Sequence, residues 1–389
     1  MITVNNLTFT YPSLRPSEPP APVLSDLSLT LDEGQAIAVM GASGAGKSTL
    51  AHLIAGLIPR YTGGTLEGEL VVDGHDVNKT PLPVGTAGLL FQDAATQLFN
   101  TTAEEEIAWG LEAMGMPSPR IEARINQALD HFGLHGLRRR QPWALSGGEQ
   151  KRLALAAVWA MQPQIFVLDE PLGGLDPNGR SEVLRAMRAL RQAGSAVLAT
   201  THHPEVAGDV QRVALLEGGR LTRMTGPKSI LSQAEALIEA GVRFPPDRWP
   251  DLGPHALRTS VDGVPSVAVE HLFFGYPEGP EVLHDLSLTI PTGQFVAIVG
   301  PNGGGKSTLV RHFNGLLHPT QGTVRVMGNN TTRRSTGALA RHVGFLFQRP
   351  EQQLFAPTVR EEIAYGPEQL ELARGEAAID RVMARFNLT

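Results

Sequence analysis

The chain contains no cysteine. Disulfides and thiolate metal centres are therefore excluded, and the composition fits a reducing compartment. Long hydrophobic runs are missing too: nothing approaches the roughly 18 apolar residues that a membrane-spanning helix requires. No basic segment precedes an apolar core at Met1 to Asn6, so no signal peptide is expected. Excess positive charge is also absent. The formal net charge is −6 and the isoelectric point about 6.1, which argues against a nucleic-acid partner. What the chain does have is glycine and proline, 42 and 29 of 389 residues, and several of the glycines fall in one recurring pattern.

Gly41 to Thr49 reads Gly-Ala-Ser-Gly-Ala-Gly-Lys-Ser-Thr, and Gly300 to Thr308 reads Gly-Pro-Asn-Gly-Gly-Gly-Lys-Ser-Thr. Both match the eight-residue phosphate-loop pattern in full, and each continues with a threonine. In the first, the apolar run Gln35–Met40 predicts a buried strand feeding the loop, and a helix is expected from Lys47 through Leu50, Leu53, Ile54 and Leu57. Glycines such as Gly41, Gly44 and Gly46 let backbone N–H groups turn inward around phosphate oxygens, beside Ser43 and Thr49. Lys47 is placed to reach the β- and γ-phosphates, and Ser48 to put its hydroxyl on Mg²⁺. The same expectations pass to Gly300, Asn302, Gly303, Gly305, Lys306, Ser307 and Thr308. The plain alternative for either loop is a Gly-rich strand–helix turn with a solvated lysine.

The two loops belong to a larger repeat with a period near 260 residues. Val23–Leu29 recurs as Val282–Leu288, Tyr11-Pro12 as Tyr276-Pro277, Gln92 as Gln348, and Phe132–Leu134 as Phe386–Leu388. After the first loop come further motifs that the second copy does not reach by Thr389. The organisation expected is a complete domain over 1–225, a short packed extension and Pro-rich linker over 226–265, and the N-terminal half of a second domain over 266–389. Within the extension, Ser229–Gly241 is expected to form a short helix, whereas Phe244–Pro250 is too rich in proline to do so.

Ile165–Leu168 is an apolar strand that delivers Asp169 and Glu170 to its C-terminal end, where α/β sheets bind ligands. Asp169 suits indirect Mg²⁺ coordination, and Glu170 suits polarising an attacking water. A solvated acidic turn is the alternative. Leu145-Ser-Gly-Gly-Glu-Gln150 precedes a helical pattern, and Ser146 with Glu149 has capping-box spacing. Such a helix start, with the bare amides of Gly147 and Gly148, serves equally as a cap or as an anion site.

Taken in order, these residues resemble the ABC ATPases: phosphate loop, Leu145–Gln150 signature, acidic strand end, and a histidine after the strand Ala196–Thr200. The resemblance implies a P-loop α/β fold with a RecA-like core, an antiparallel β subdomain and an α-helical signature subdomain. It further implies ATP and Mg²⁺ as ligands and ATP hydrolysis as the activity. Gln92 then resembles the Q-loop glutamine, touching Mg²⁺ and water, with Gln348 as its copy. Gly174-Leu175-Asp176 resembles the D-loop. His202 resembles the switch histidine, with His203 as the alternative, and Tyr11 and Tyr276 resemble the aromatic that stacks on adenine, or else are packed strand tyrosines. The family sets Ser146, Gly147 and Gly148 against the γ-phosphate held by an opposing cassette. A second cassette in trans, in a homodimer or heterodimer, is therefore expected.

Gln97-Leu98-Phe99 recurs as Gln353-Leu354-Phe355, and Ile107-Ala-Trp-Gly110 as Ile363-Ala-Tyr-Gly366, each behind a capping-box-like Thr102 or Thr358. This pattern looks like the Q-helix of energy-coupling factor importers for vitamins and for cobalt or nickel. The resemblance implies a transmembrane energy-coupling subunit and a substrate-binding membrane subunit as partners, and a peripheral place on the cytoplasmic face of the membrane. Charge reversal at Glu105 or Glu106 is the expected way to weaken that docking. Two other readings remain open here: a nucleotide-binding fragment with little turnover, and a non-transport ABC ATPase acting on ribosomes or DNA.

Overall fold

The computed structural model describes residues 1–13, 20–242, 263–277, 279–301, 303–348, 350–371 and 376–388. Two compact units divide the chain, Met1–Asp251 and Leu252–Thr389.

The first unit opens with β1 (Ile2–Thr10), β2 (Pro22–Leu31) and β3 (Ala36–Met40), then α1 (Lys47–Ile54), β4 (Thr65–Val72), β5 (His75–Asp76) and β6 (Ala87–Leu90). Helices α2 (Ala103–Ala113), α3 (Ser118–His131) and α4 (Gly147–Ala160) follow, then β7 (Ile165–Asp169), α5 (Pro177–Gln192) and β8 (Ala196–Thr201). The unit closes with β9 (Arg212–Glu217), β10 (Arg220–Thr225), α6 (Pro227–Leu231) and α7 (Ala234–Glu239). One antiparallel sheet runs β2-β1-β4-β5, and a six-stranded sheet runs β10-β9-β3-β8-β7-β6, parallel except at its β10 edge.

The parallel strands are apolar along their whole length because they are buried on both faces. In β3, Ile37 and Val39 turn into a core shared with α1 and the antiparallel sheet, while Ala36, Ala38 and Met40 turn into a second core with α2 to α5. Strand β7 alternates in the same way, with Ile165 and Val167 on one side and Phe166 and Leu168 on the other. Strand order then does the positioning. The C-terminal ends of β3, β8, β7 and β6 lie side by side, so the segments that follow them, 41–49, 202, 170 and 92, emerge along one edge.

Two local expectations need correction. Helix α1 stops at Ile54 rather than running to Leu57, because Gly56 takes φ +72° and Pro59 follows shortly. The extension forms two short helices instead of one across Ser229–Gly241. Ser232 Oγ and Gln233 Nε2 both donate to Ser229 O, at 2.8 and 3.1 Å, which diverts that carbonyl from the helical ladder. Ile230, Leu237, Ala240 and Val242 are nonetheless buried in the main core. Phe244–Pro250 lies outside the described residues.

The second unit has β11 (Val267–Gly275), β12 (Glu281–Ile290), α8 (Lys306–Phe313), β13 (Gln321–Val326) and β14 (Asn329–Asn330), then α9 (Thr336–Leu339), α10 (Val359–Gln369) and α11 (Glu376–Arg385). Its antiparallel sheet, β12-β11-β13-β14, repeats the order of the first unit's. Residues 294–300 and 343–347, the counterparts of β3 and β6, are in no strand, and Phe295 is fully exposed. The topology of the first unit explains this: β3 and β6 never touch each other, but pair through β7, β8 and β9.

Candidate functional site

The loop after β3 enters α1 through Gly46, whose φ of +99° is open to glycine and strained for any other residue. No side chain caps α1, so its first N–H groups and the positive end of its dipole face outward. Beside them lies a cavity of about 560 Å³ lined by Val23, Ser43, Gly44, Gly46, Lys47, Ser48, Thr49, Gln92, Glu170, His202 and Gly241.

Lys47 is buried, and its Nζ donates to Gly41 O at 3.0 Å and Ala42 O at 2.8 Å. The same ammonium lies 3.5 Å from Glu170 Oε1. His202 Nδ1 is 2.9 Å from that oxygen, and the His202 N–H approaches Glu170 Oε2 at 3.4 Å. Asp169 is buried directly behind and accepts a hydrogen bond from the Thr200 hydroxyl. Glu170 itself adopts φ +46°, a left-handed conformation costly for a non-glycine residue. Its N–H donates to Thr200 O at 2.9 Å, and its carbonyl accepts from Gly173 N at 3.1 Å and Lys151 Nζ at 2.8 Å.

Lys151 is one of several residues here that sequence reasoning missed. It is 3 % exposed and also donates to Gly173 O at 3.1 Å. Burial pushes its ammonium down to about 8, against the opposing pull of Glu170, Asp169 and Asp93. Gly241 is another, since it brings the α7 end to the cavity wall. A Cβ there would lie 2.6 Å from Ala42 Cβ, and its φ is +70°. Glu106, expected above to act in docking, is instead buried, and its carboxylate accepts from Phe99 N at 3.0 Å and Asn100 N at 2.8 Å. Glu362 repeats that clamp on Phe355 N and Ala356 N. Glu106 therefore holds the loop together, so its charge reversal would not be a clean probe of docking. Glu105 is exposed, but its carboxylate closes the capping box of α2 by accepting from Thr102 N at 3.0 Å, so its reversal also disturbs the helix start.

The Gln97 side chain closes a turn around the end of β6, donating to Leu89 O and accepting from Phe91 N, both at 3.1 Å. Gln353 does the same with Phe345 O and Phe347 N, at 2.9 and 3.0 Å. Each clamp flanks the glutamine expected to be functional, Gln92 or Gln348.

Other expected residues lie elsewhere. Tyr11 does not line the cavity: its ring packs edge-on to Phe9 at 4.9 Å and its hydroxyl lies 3.2 Å from Thr49 Oγ1. Tyr276 repeats that contact with Thr308 Oγ1 at 3.2 Å. Ser146 and Glu149 form a complete capping box, and Ser146, Gly147 and Gly148 stand away from the cavity lining of their own chain. His203 is buried and off the lining, its ring 4.3 Å from that of His202. In the second unit Lys306 Nζ donates to Gly300 O at 2.9 Å and Pro301 O at 2.6 Å. Gly303 and Gly305 take φ +77° and +78°, Ser307 and Thr308 open α8, and Gln348 is exposed. Asn302 lies outside the described residues.

These donors suit a polyphosphate and a hard cation: an uncapped helix start, an ammonium, and oxygen ligands from Ser48, Gln92 and Asp169. Fold and site together define a P-loop nucleoside-triphosphatase. The chain belongs to the ABC transporter family, whose pattern it matches over residues 24–173 and 283–389. It is 34 % identical over 406 aligned residues to a putative ABC transporter ATP-binding protein of Caldanaerobacter subterraneus subsp. tengcongensis, covering 94 % of this chain and 71 % of that one. The dimeric, post-hydrolysis structure of the ATP-binding cassette MJ0796 bound to ADP and Pi matches at TM-score 0.53 with 27 % identity, over 58 % of this chain and 99 % of that one. The structure of cbiO1 from Clostridium perfringens, part of the ABC transporter complex cbiONQ, matches at TM-score 0.51 with 25 % identity, over 63 % and 95 %. The chain is accordingly an ABC-type ATPase that uses ATP with Mg²⁺. ABC ATPases dimerise and work with transmembrane partners. Among the described residues no helix is long and apolar enough to cross a membrane.

Proposed function

We propose that the chain is the energy-coupling ATPase of an importer of the energy-coupling factor type, acting peripherally on the cytoplasmic face of the membrane on behalf of a vitamin or transition-metal ion. One observation carries this reading. Phe99 and Trp109 form an edge-to-face pair at 5.2 Å, 60 % and 54 % exposed, next to the Gln92 loop. Phe355 and Tyr365 repeat it at 4.7 Å with 65 % and 45 % exposure. Exposed aromatic pairs held beside a clamped loop make strong anchors for a helix of a membrane partner. The likeness to cbiO1, part of the cbiONQ complex, supports the same reading.

At the site, Lys47 binds the β- and γ-phosphates, and Ser48 and Gln92 offer oxygens to Mg²⁺, with Asp169 behind them. Magnesium, when bound, offsets the negative charge that develops on the transferred phosphoryl group. Glu170 orients and polarises the attacking water, and His202 steadies both that carboxylate and the γ-phosphate. Tyr11, whose hydroxyl lies 3.2 Å from Thr49 Oγ1 of the phosphate loop, is the candidate for stacking on adenine. Lys306, Ser307, Thr308 and Gln348 give the second unit a binding loop of the same kind. Ser146, Gly147 and Gly148 complete the site of an opposing cassette, so turnover requires two cassettes.

Co-purification with a transmembrane energy-coupling subunit tests the proposal. Phe99→Ala with Trp109→Ala should release that partner while ATP affinity stays within about 2-fold of the parent, because neither ring lines the cavity. Salt-resistant co-purification with ribosomes or DNA instead would overturn it.

A further inference from the structure

The signature residues at the start of α4 and the candidate base at the end of β7 belong to one chain, yet in a shared-site dimer they serve different nucleotides. Lys151 joins them. It lies a little over one turn after Ser146 on α4, and its Nζ reaches Glu170 O at 2.8 Å and Gly173 O at 3.1 Å. The second contact fixes the entrance to Gly174-Leu175-Asp176, where Asp176 caps α5 through Gly179 N at 2.8 Å. The first acts on a peptide group that needs holding, because Glu170 sits at φ +46°. A left-handed glutamate persists only when its surroundings over-determine it. Here Gly173 N and Lys151 Nζ converge on its carbonyl while Thr200 O takes its N–H.

We infer that Lys151 is a positioning residue that couples the two nucleotide sites: movement of α4, when the signature engages the opposing γ-phosphate, is passed through its ammonium to the backbone of Glu170. The inference rests on the shared-site reading proposed above. Lys151 does not line the cavity. Its two acceptors are backbone carbonyls, so the coupling depends on a donor of this length and not on a particular acidic partner. A buried lysine held only for stability would have no need to bridge the signature helix to the base-bearing peptide.

The test uses the whole chain, with ATP turnover measured against ATP and protein concentration, and folding followed by circular dichroism and thermal melting. Lys151→Met should lower kcat on the order of 100-fold, the cost of an ångström-scale misplacement, while KM for ATP stays within about 2-fold. The Hill coefficient for ATP should fall from above about 1 in the parent to about 1 in the variant. Lys151→Gln, whose amide can still donate to one carbonyl, should fall between the two and covers the case in which Lys151→Met does not fold. Parental kcat and cooperativity in either folded variant would overturn the inference. Parental turnover that is itself non-cooperative and independent of protein concentration would instead overturn the shared-site reading, and the inference with it.

Discussion

His202 meets both carboxylate oxygens of Glu170: its Nδ1 lies 2.9 Å from Oε1, which Lys47 Nζ also approaches at 3.5 Å, and its backbone N–H lies 3.4 Å from Oε2. Two adjacent parallel strands, β7 and β8, create this meeting, since each ends one residue before its functional side chain. The carboxylate is therefore aimed by the His202 imidazole on one side and the Lys47 ammonium on the other.

Glu170→Gln keeps the shape and removes the charge. Phosphate release should fall on the order of 100- to 10,000-fold, the range for losing a general base, while Mg-ATP binding persists. Rapid-quench turnover together with equilibrium binding of labelled ATP checks both halves.

A shared site gives a second, sharper outcome. Mixing the Glu170→Gln chain with a Ser146→Arg chain should restore turnover that neither shows alone. The working site lies on the Ser146→Arg chain, which keeps its own Glu170 and borrows the intact signature. Turnover should also rise with protein concentration as pairs form. A flat concentration series without rescue would rule out pairing through the first cassette.

Gly241→Val should destabilise the first unit by about 1–3 kcal/mol, since it combines a disfavoured positive φ with overpacking. The added Cβ would sit 2.6 Å from Ala42 Cβ on the phosphate loop. Thermal melting reads the stability loss, and a weakened Kd for ATP reads the displacement of the loop.

His203 supplies a pH signature. Burial, then the neighbouring His202 and Arg180, hold its imidazole below the ordinary histidine range. The unfolded chain therefore binds a proton that the folded chain resists. The resulting stability is present above about pH 6.5 and is lost as pH falls through that value toward the lowered folded pKa. The melting temperature should drop on acidification across this window, and His203→Asn should flatten that part of the profile.

Much of this site was legible because its motifs are local. The phosphate loop, the acids at the end of β7 and the histidine after β8 each combine an apolar strand with the functional residue beyond it, so hydrophobic pattern and chemistry point to one place. The capping box of Ser146 with Glu149 was equally readable, being complete within four residues. Residues that act across the fold left no such mark. Lys151 looks like a solvated helix lysine until α4 packs against the end of β7, and Glu106 looks like one of three ordinary acids in a first helical turn. Gly241 read as the end of an extension, because only tertiary packing brings it to Ala42. Tyr11 illustrates the reverse case: its family role was readable, while its contacts with Phe9 and Thr49 depend on how β1 meets α1.

The interleaved strand order has a consequence for synthesis on the ribosome. Strand β3 emerges early, yet its two neighbours, β8 and β9, are translated more than 150 residues later. During that interval the apolar run leading to the phosphate loop has no partner strand, and long-range parallel pairing is slow to form. Exposed strands of this kind are the segments on which nascent chains associate wrongly. The first unit should therefore depend on chaperone protection until its residues up to about Glu217 have left the exit tunnel.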